Sequence, residues 1–174
     1  MLQCPLASEY PEYYVPYVNL VPEGDLLPIL QKNLEETITL FEGLSENDGQ
    51  FRYASGKWSI KEVLGHMTDT ERIMSYRLLR IGRGDQTPLA GFNENEFIAG
   101  SQFDELPLKN ILEDFIATRH ATITLIQNMP EEAWAKKGFA NGTEITTRAI
   151  AYIITGHAIH HGKIISERYL PVLK

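Results

Sequence analysis

Apolar residues recur at helical spacing in four long stretches of this 174-residue chain, and almost nowhere at the period of a strand. The first stretch, from about Asp25, aligns Leu26, Leu30, Leu34, Ile38 and Phe41 and stops near Gly43. The second begins at Ser59, with Glu62 three residues on. At this spacing each side chain can satisfy the other residue's free backbone N–H. It runs to about Arg80, where Gly82 and Gly84 end it. The third starts near Pro107, a residue type favoured in a first turn, and reaches about Met129 before Pro130. The fourth spans about Thr146 to Arg168, and Pro171 prevents its extension. Four amphipathic helices of similar length predict an all-α four-helix bundle.

The connections refine that expectation. The links between the first and second helices and between the third and fourth are short enough to favour antiparallel neighbours. The stretch RGDQTPLAGFNENEFIAGSQFDEL has no clear helical period and predicts a long crossover between helices 2 and 3, which can therefore be parallel. Asn141-Gly142 reads as a tight turn. Residues 1–23, rich in tyrosine and proline, predict an ordered arm packed across one domain that spans residues 1–174.

Composition narrows the function classes. A hydrophobic fraction of 43% and a charged fraction of 22% are those of an ordinary globular protein. Net charge is −7, and no face concentrates Lys and Arg, so no nucleic-acid partner is expected. No apolar run approaches the ~20 residues of a membrane span, and no signal-peptide pattern is evident. Cys4 is the single cysteine and cannot form an intrachain disulfide, which suits a reducing compartment. The expectation is a cytoplasmic protein without a membrane partner.

Histidine disturbs this plain picture. The sequence GHAIHHGK places three histidines within five positions of the fourth helix. At about 100° per residue, His157 and His161 fall within roughly 40° of Ile150, the centre of the apolar stripe, together with Ile154 and Ile164. His160 lies to the side. On the second helix, His66 sits inside the apolar arc of Ile60, Val63, Met67, Ile73 and Met74. An i,i+4 histidine pair facing a third histidine from another helix is an arrangement suited to a divalent transition metal. Three protein ligands leave a position open for water or substrate, as catalytic sites do. The alternative is a set of core histidines hydrogen-bonded to carbonyls. His120 has no such company and reads as a surface residue.

GHMTDTERIMSYRLLRIGRGDQTPLAGFNENEF, followed by TTRAIAYIITGHAIHHGKII, resembles the DinB-like superfamily, which includes bacillithiol- and mycothiol-dependent transferases and isomerases. The most specific elements are the helical histidine before Asp-Thr-Glu-Arg, the Gly-Phe-Asn-Glu-Asn loop and the final His-x-x-x-His. The resemblance implies a four-helix bundle with a long crossover, and zinc or nickel held by His66, His157 and His161. It also implies a homodimer and, in some members, a low-molecular-weight thiol as co-substrate. Asn93 departs from the pattern, which favours Asp at that position.

Other side chains complete the prediction. Asp69 either orients an imidazole or is a solvated helix carboxylate. Glu71 projects into the stripe of the second helix and is expected to pair with an arginine such as Arg148. Arg77 lies on nearly the same side as His66; it binds an anionic substrate group or caps the bundle with a salt bridge. Glu94, in a loop of a composition that often walls binding sites, is the candidate general base. HExxH, G-x-S-x-G, paired Glu-x-x-His and phosphate-loop motifs are all absent. The resulting expectation is a metal-dependent enzyme acting on a small molecule, a thiol S-transferase or a hydrolase. The alternative is a non-catalytic metal- or ligand-binding bundle.

Overall fold

In chain order, the computed structural model, which describes residues 2–173, contains a one-turn helix α1 (Val15–Val18), α2 (Leu26–Glu42), a one-turn α3 (Glu46–Gly49), α4 (Ile60–Gly82), α5 (Glu94–Ser101), α6 (Leu108–Gln127), strands β1 (Lys137–Ala140) and β2 (Thr143–Thr146), and α7 (Thr147–Ile164). The long helices α2, α4, α6 and α7 form the four-helix bundle that the periodicity predicts. Helix α4 begins at the predicted capping box: Ser59 Oγ accepts from the Glu62 amide at 3.0 Å, and the Ser59 amide donates to Glu62 Oε2 at 2.8 Å. Leu30, Ile60, Leu64, Leu78, Phe115 and Ile150 are fully buried along the bundle axis. Among the described residues, no helix is long and apolar enough to cross a membrane.

The neighbour relations differ from those expected. Helix α4 packs against α6 and α7, and α2 packs against the same two. Helices α2 and α4 therefore lie across one diagonal, and α6 and α7 across the other. The links are not simple hairpins: residues 43–59 include α3, and residues 128–146 include the β1–β2 hairpin. Each is long enough to cross an end of the bundle. The short strands escaped the period-2 pattern because each has only four residues. Their turn is the predicted one, with φ of 52° at Asn141 and 76° at Gly142, the left-handed pair that a tight hairpin requires.

The crossover also contains a helix that its sequence conceals. Asn93 Oδ1 accepts from the amides of Asn95 (3.0 Å) and Glu96 (3.4 Å), starting α5. At eight residues α5 is too short to display a hydrophobic period. Farther back, Leu89 bonds the hairpin from both sides: its amide donates to the Phe139 carbonyl at 2.9 Å, and its carbonyl accepts from Asn141 at 3.0 Å.

The N-terminal arm covers the outer face of α7, so residues that a solvent-facing side would leave exposed are buried. Glu9 ion-pairs with Arg148 and accepts from Thr146 Oγ1 at 2.8 Å, and Tyr152 Oη donates to the Leu2 carbonyl at 3.0 Å. Only glycine fits at 156, because a Cβ there would lie 2.0 Å from the Tyr17 carbonyl oxygen. Arg148 is thus occupied, and the expected Glu71–Arg148 pair is absent. Glu71 instead pairs with Arg119 of α6, through Arg119 Nη2 at 2.7 Å and Nε at 2.8 Å. The periodicity of α4 reveals that Glu71 points inward, but not which neighbour supplies its partner.

Candidate metal centre

The three predicted histidines meet. His66 stands in the second turn of α4, while His157 and His161 stand one turn apart on α7, which packs against it. His157 Nε2 lies 3.0 Å from His66 Nε2 and 3.1 Å from His161 Nε2. All three side chains are buried and offer ligand atoms within 4.8 Å of one another. A neutral Nε2 carries at most one proton, so His157 cannot donate to both neighbours at once. One N–H or one lone pair on His157 Nε2 therefore cannot fully satisfy both neighbours, and a cation placed among the three nitrogens can. A tetrahedral ion with Zn–N bonds of 2.0–2.1 Å would hold them about 3.3 Å apart, close to the spacing found. The donor set therefore fits a divalent metal.

Electrostatics keeps these imidazoles ready as ligands. Burial pushes His66 down to about 4, against the opposing pull of the Glu94 carboxylate. Burial likewise holds His157 and His161 well below the ordinary histidine range, with the neighbouring histidines adding to the effect. All three are neutral near pH 7, the form that coordinates metal.

Several groups position the cluster. Thr70 Oγ1 lies 3.5 Å from His66 Nδ1, the place the sequence offered to Asp69. Asp69 instead faces Arg72 at 3.9 Å and makes no hydrogen bond to a histidine among the described residues. The Trp58 ring packs on His66 with centroids 4.7 Å apart. Trp58 is held in turn by Tyr169, whose Oη donates to the Trp58 carbonyl at 2.8 Å. Tyr169 closes a π-helical segment (Ile165–Tyr169) that begins four residues after His161, the kind of irregularity often found beside functional sites. His160 lies to the side as expected, edge-on to Tyr17 at 5.2 Å and to His161 at 5.0 Å. His161 Nδ1 is buried without a hydrogen-bond partner among the described residues. His120 is exposed.

The three histidines line an open cavity of about 470 Å³ that also receives Arg77, Glu94 and Phe92. This volume is in the range of small-molecule sites. Tyr13, Tyr14 and Tyr17 bring the arm into its wall, and Trp58 stands beside them. Sequence reasoning placed the arm across the domain but did not assign these aromatic residues to the site. The tyrosine density of residues 1–23 was the available signal. A larger groove of about 700 Å³ between α2 and α7, lined by residues such as Lys32, Glu36 and Lys163, contains none of the three histidines.

Residues 29–165, from α2 to the end of α7, match the sequence profile of the DinB superfamily. The chain belongs to that superfamily. No curated protein sequence matches it. Among solved structures, YfiT from Bacillus subtilis, described as a probable metal-dependent hydrolase with an unusual four-helix bundle topology, superimposes with a TM-score of 0.75 at 14% identity, covering 96% of this chain and 91% of that one. A mycothiol-dependent maleylpyruvate isomerase gives a TM-score of 0.68 at 13% identity, covering 84% of this chain and 61% of the isomerase. The DinB-like protein YjoA from Bacillus subtilis gives 0.59 at 14% identity, covering 87% and 94%. At these identities the likeness is one of fold. The present DinB fold carries a three-histidine cluster able to hold a divalent metal.

Proposed function

We propose that this DinB protein is a metal-dependent enzyme in which the Nε2 atoms of His66, His157 and His161 hold a divalent transition metal, zinc or nickel. The observation that carries the reading is the convergence of three neutral imidazoles beside an open cavity. When bound, such an ion lowers the pKa of a water or thiol so that an anionic nucleophile exists at neutral pH. The reaction is of the thiol S-transferase or hydrolase type. The fold likeness to a mycothiol-dependent isomerase supports a low-molecular-weight thiol as co-substrate.

The chain's own residues divide the remaining work. Glu94, on the cavity wall, accepts the proton released by the nucleophile. Trp58 and Tyr17 exclude bulk water from the imidazoles. Thr70 fixes the ring of His66. A non-catalytic bundle would be better served by a closed coordination shell, whereas this cluster opens onto a cavity. The acidic charge supports a small-molecule substrate and no nucleic-acid partner. The family resemblance supports a cytoplasmic homodimer of one-domain chains, which sedimentation of the purified protein would test.

Metal analysis of untagged protein is the primary experiment. Wild type should carry or bind one metal per chain, and His157→Ala none. Wild type that neither carries a stoichiometric metal nor binds one on titration would remove the reading. In the metal-loaded enzyme, conjugation of a small thiol to chlorodinitrobenzene should slow about a hundredfold in Glu94→Gln, the scale of general-base assistance.

A further inference from the structure

The buried side chains Glu9, Lys61, Glu71 and Arg119 each pair with an opposite charge. Arg77 is buried to the same degree, only 3% exposed, yet has no acidic partner among the described residues. Its contacts are all neutral: Nη2 donates to the Ala90 carbonyl at 2.6 Å, and Nη1 lies 3.3 Å from Met74 Sδ. The guanidinium stands 5.9 Å from the centre of the Phe92 ring, and Tyr14 lies beside it. Arginine does not lose its proton to escape burial, so its charge needs a counter-ion. Arg77 lines the cavity of the three histidines, and that cavity is where a counter-ion can enter.

We propose that Arg77 is the carboxylate-binding residue of this cavity, and that the substrate is an elongated monocarboxylate whose reacting end lies at the His66–His157–His161 cluster. The inference rests on the metal-dependent reading and adds a substrate class to it. Two observations select a monoanion over a phosphate. Among the described residues no second Lys or Arg lines the cavity, and Glu94, which does, opposes a multiply charged ligand. A guanidinium fork matches one carboxylate in a bidentate way, and the Tyr14 side chain beside it adds a neutral donor. The separation sets the shape. The eleven residue steps of α4 from His66 to Arg77 rise roughly 16 Å. The Arg77 side chain leans back one turn to Met74, toward the histidines. The body of the ligand would then lie along Met74, Phe92 and Ile153, an apolar and aromatic surface.

Two thiols of matched length test this: mercaptohexanoic acid and mercaptohexanol, titrated into cobalt-substituted protein and read by the thiolate-to-cobalt absorption band. The acid should bind at least about tenfold more tightly than the alcohol, the scale of a hydrogen-bonded charge. In Arg77→Met that preference should vanish while the alcohol's affinity and the cobalt content stay as in wild type. Arg77→Lys should retain part of it. A merely structural role for Arg77 would lower thermal stability without changing the acid-to-alcohol ratio. Equal binding of the two thiols to wild type, or a preference that survives in Arg77→Met, overturns the proposal. If neither thiol produces the band, the metal–thiol reading fails. The carboxylate inference is then decided by calorimetry of hexanoate against hexanol on the metal-free protein, where the same Arg77-dependent preference is expected and its absence refutes it.

Discussion

Two polar clusters are buried in this bundle, five residues apart on α4, and they are built on opposite principles. Around Glu71, every charge is answered. Arg119 donates Nε to both Glu71 oxygens at 2.8 and 3.0 Å, Nη2 to Oε2 at 2.7 Å, and Nη1 to Asn33 Oδ1 at 2.9 Å. Around His66, three imidazole Nε2 atoms are turned on one another, and His161 Nδ1 has no partner among the described residues. Both clusters are buried and both cost desolvation. The first is complete as protein and ties α4 to α6 and α2. The second leaves its nitrogens incompletely partnered, is able to hold a cation, and opens onto a cavity. Burial does not distinguish a structural polar cluster from a functional one, whereas the completeness of its hydrogen bonding does.

Variants that break one cluster and spare the other sharpen the contrast. Removing Arg119 should have the largest effect on folding. Arg119→Met leaves the Glu71 carboxylate buried and unpaired, so stability in urea should fall by about 3–5 kcal/mol, with the metal content of the folded protein unchanged. A double replacement of Glu71 and Arg119 by apolar residues of similar volume should recover much of that loss. An equal loss from single and double variants would show that the pair acts through packing instead.

The histidine cluster should respond to metal, not to folding conditions alone. Adding zinc or nickel at a thousandfold excess over Kd should stabilise wild type by about 4 kcal/mol, read as a shift in the urea midpoint. His157→Ala should show no shift. Without metal, its own stability should differ less from that of metal-free wild type than the metal-induced shift, because the mutation removes an imidazole whose polar atoms face other imidazoles and whose ring loses one edge contact, with Tyr17.

Acidity should separate the clusters next. In the metal-free protein the folded state holds His66 neutral down to about 4, while the unfolded chain takes up that proton near 6.5. Between those values the unfolded state binds more protons, so stability rises with pH and falls as the solution is acidified from about 6.5 toward 4. His66→Gln should make that segment less steep by the contribution of one proton, while His157 and His161, held neutral by the same burial, keep the rest of the slope. A wild-type curve already flat there would contradict the burial of a neutral imidazole.

The smallest effect is expected at the supporting contacts. Thr70→Val removes the hydroxyl 3.5 Å from His66 Nδ1. Metal affinity by competition with a chelator should weaken by about tenfold, the lower end for groups that orient a ligand, with the urea midpoint almost unmoved. An unchanged affinity would assign the orientation of His66 to Trp58 alone.

The readable features were local ones. Ser59 and Glu62 announce the start of α4 because a capping box involves only four consecutive residues. His157 and His161 can be placed on one face because helical periodicity is a property of the segment itself. His66 falls inside the arc of α4 by the same rule. Helix α5 and the β1–β2 hairpin were concealed because eight and four residues are too few to establish a period. The cap at Asn93 and the Asn141-Gly142 turn were their remaining traces.

By itself the sequence determined the four helices, the face each one buries, and the three histidines that face inward. Only the tertiary structure decided which helices are neighbours, that Arg119 and not Arg148 answers Glu71, and that Arg77 makes no ion pair among the described residues. It also decided that the tyrosine arm and Trp58 wall the cavity. The physical reason is that periodicity specifies a direction from one helix axis, whereas a partner is specified by the packing of two. That packing was set by links long enough to put consecutive helices across the bundle's diagonals.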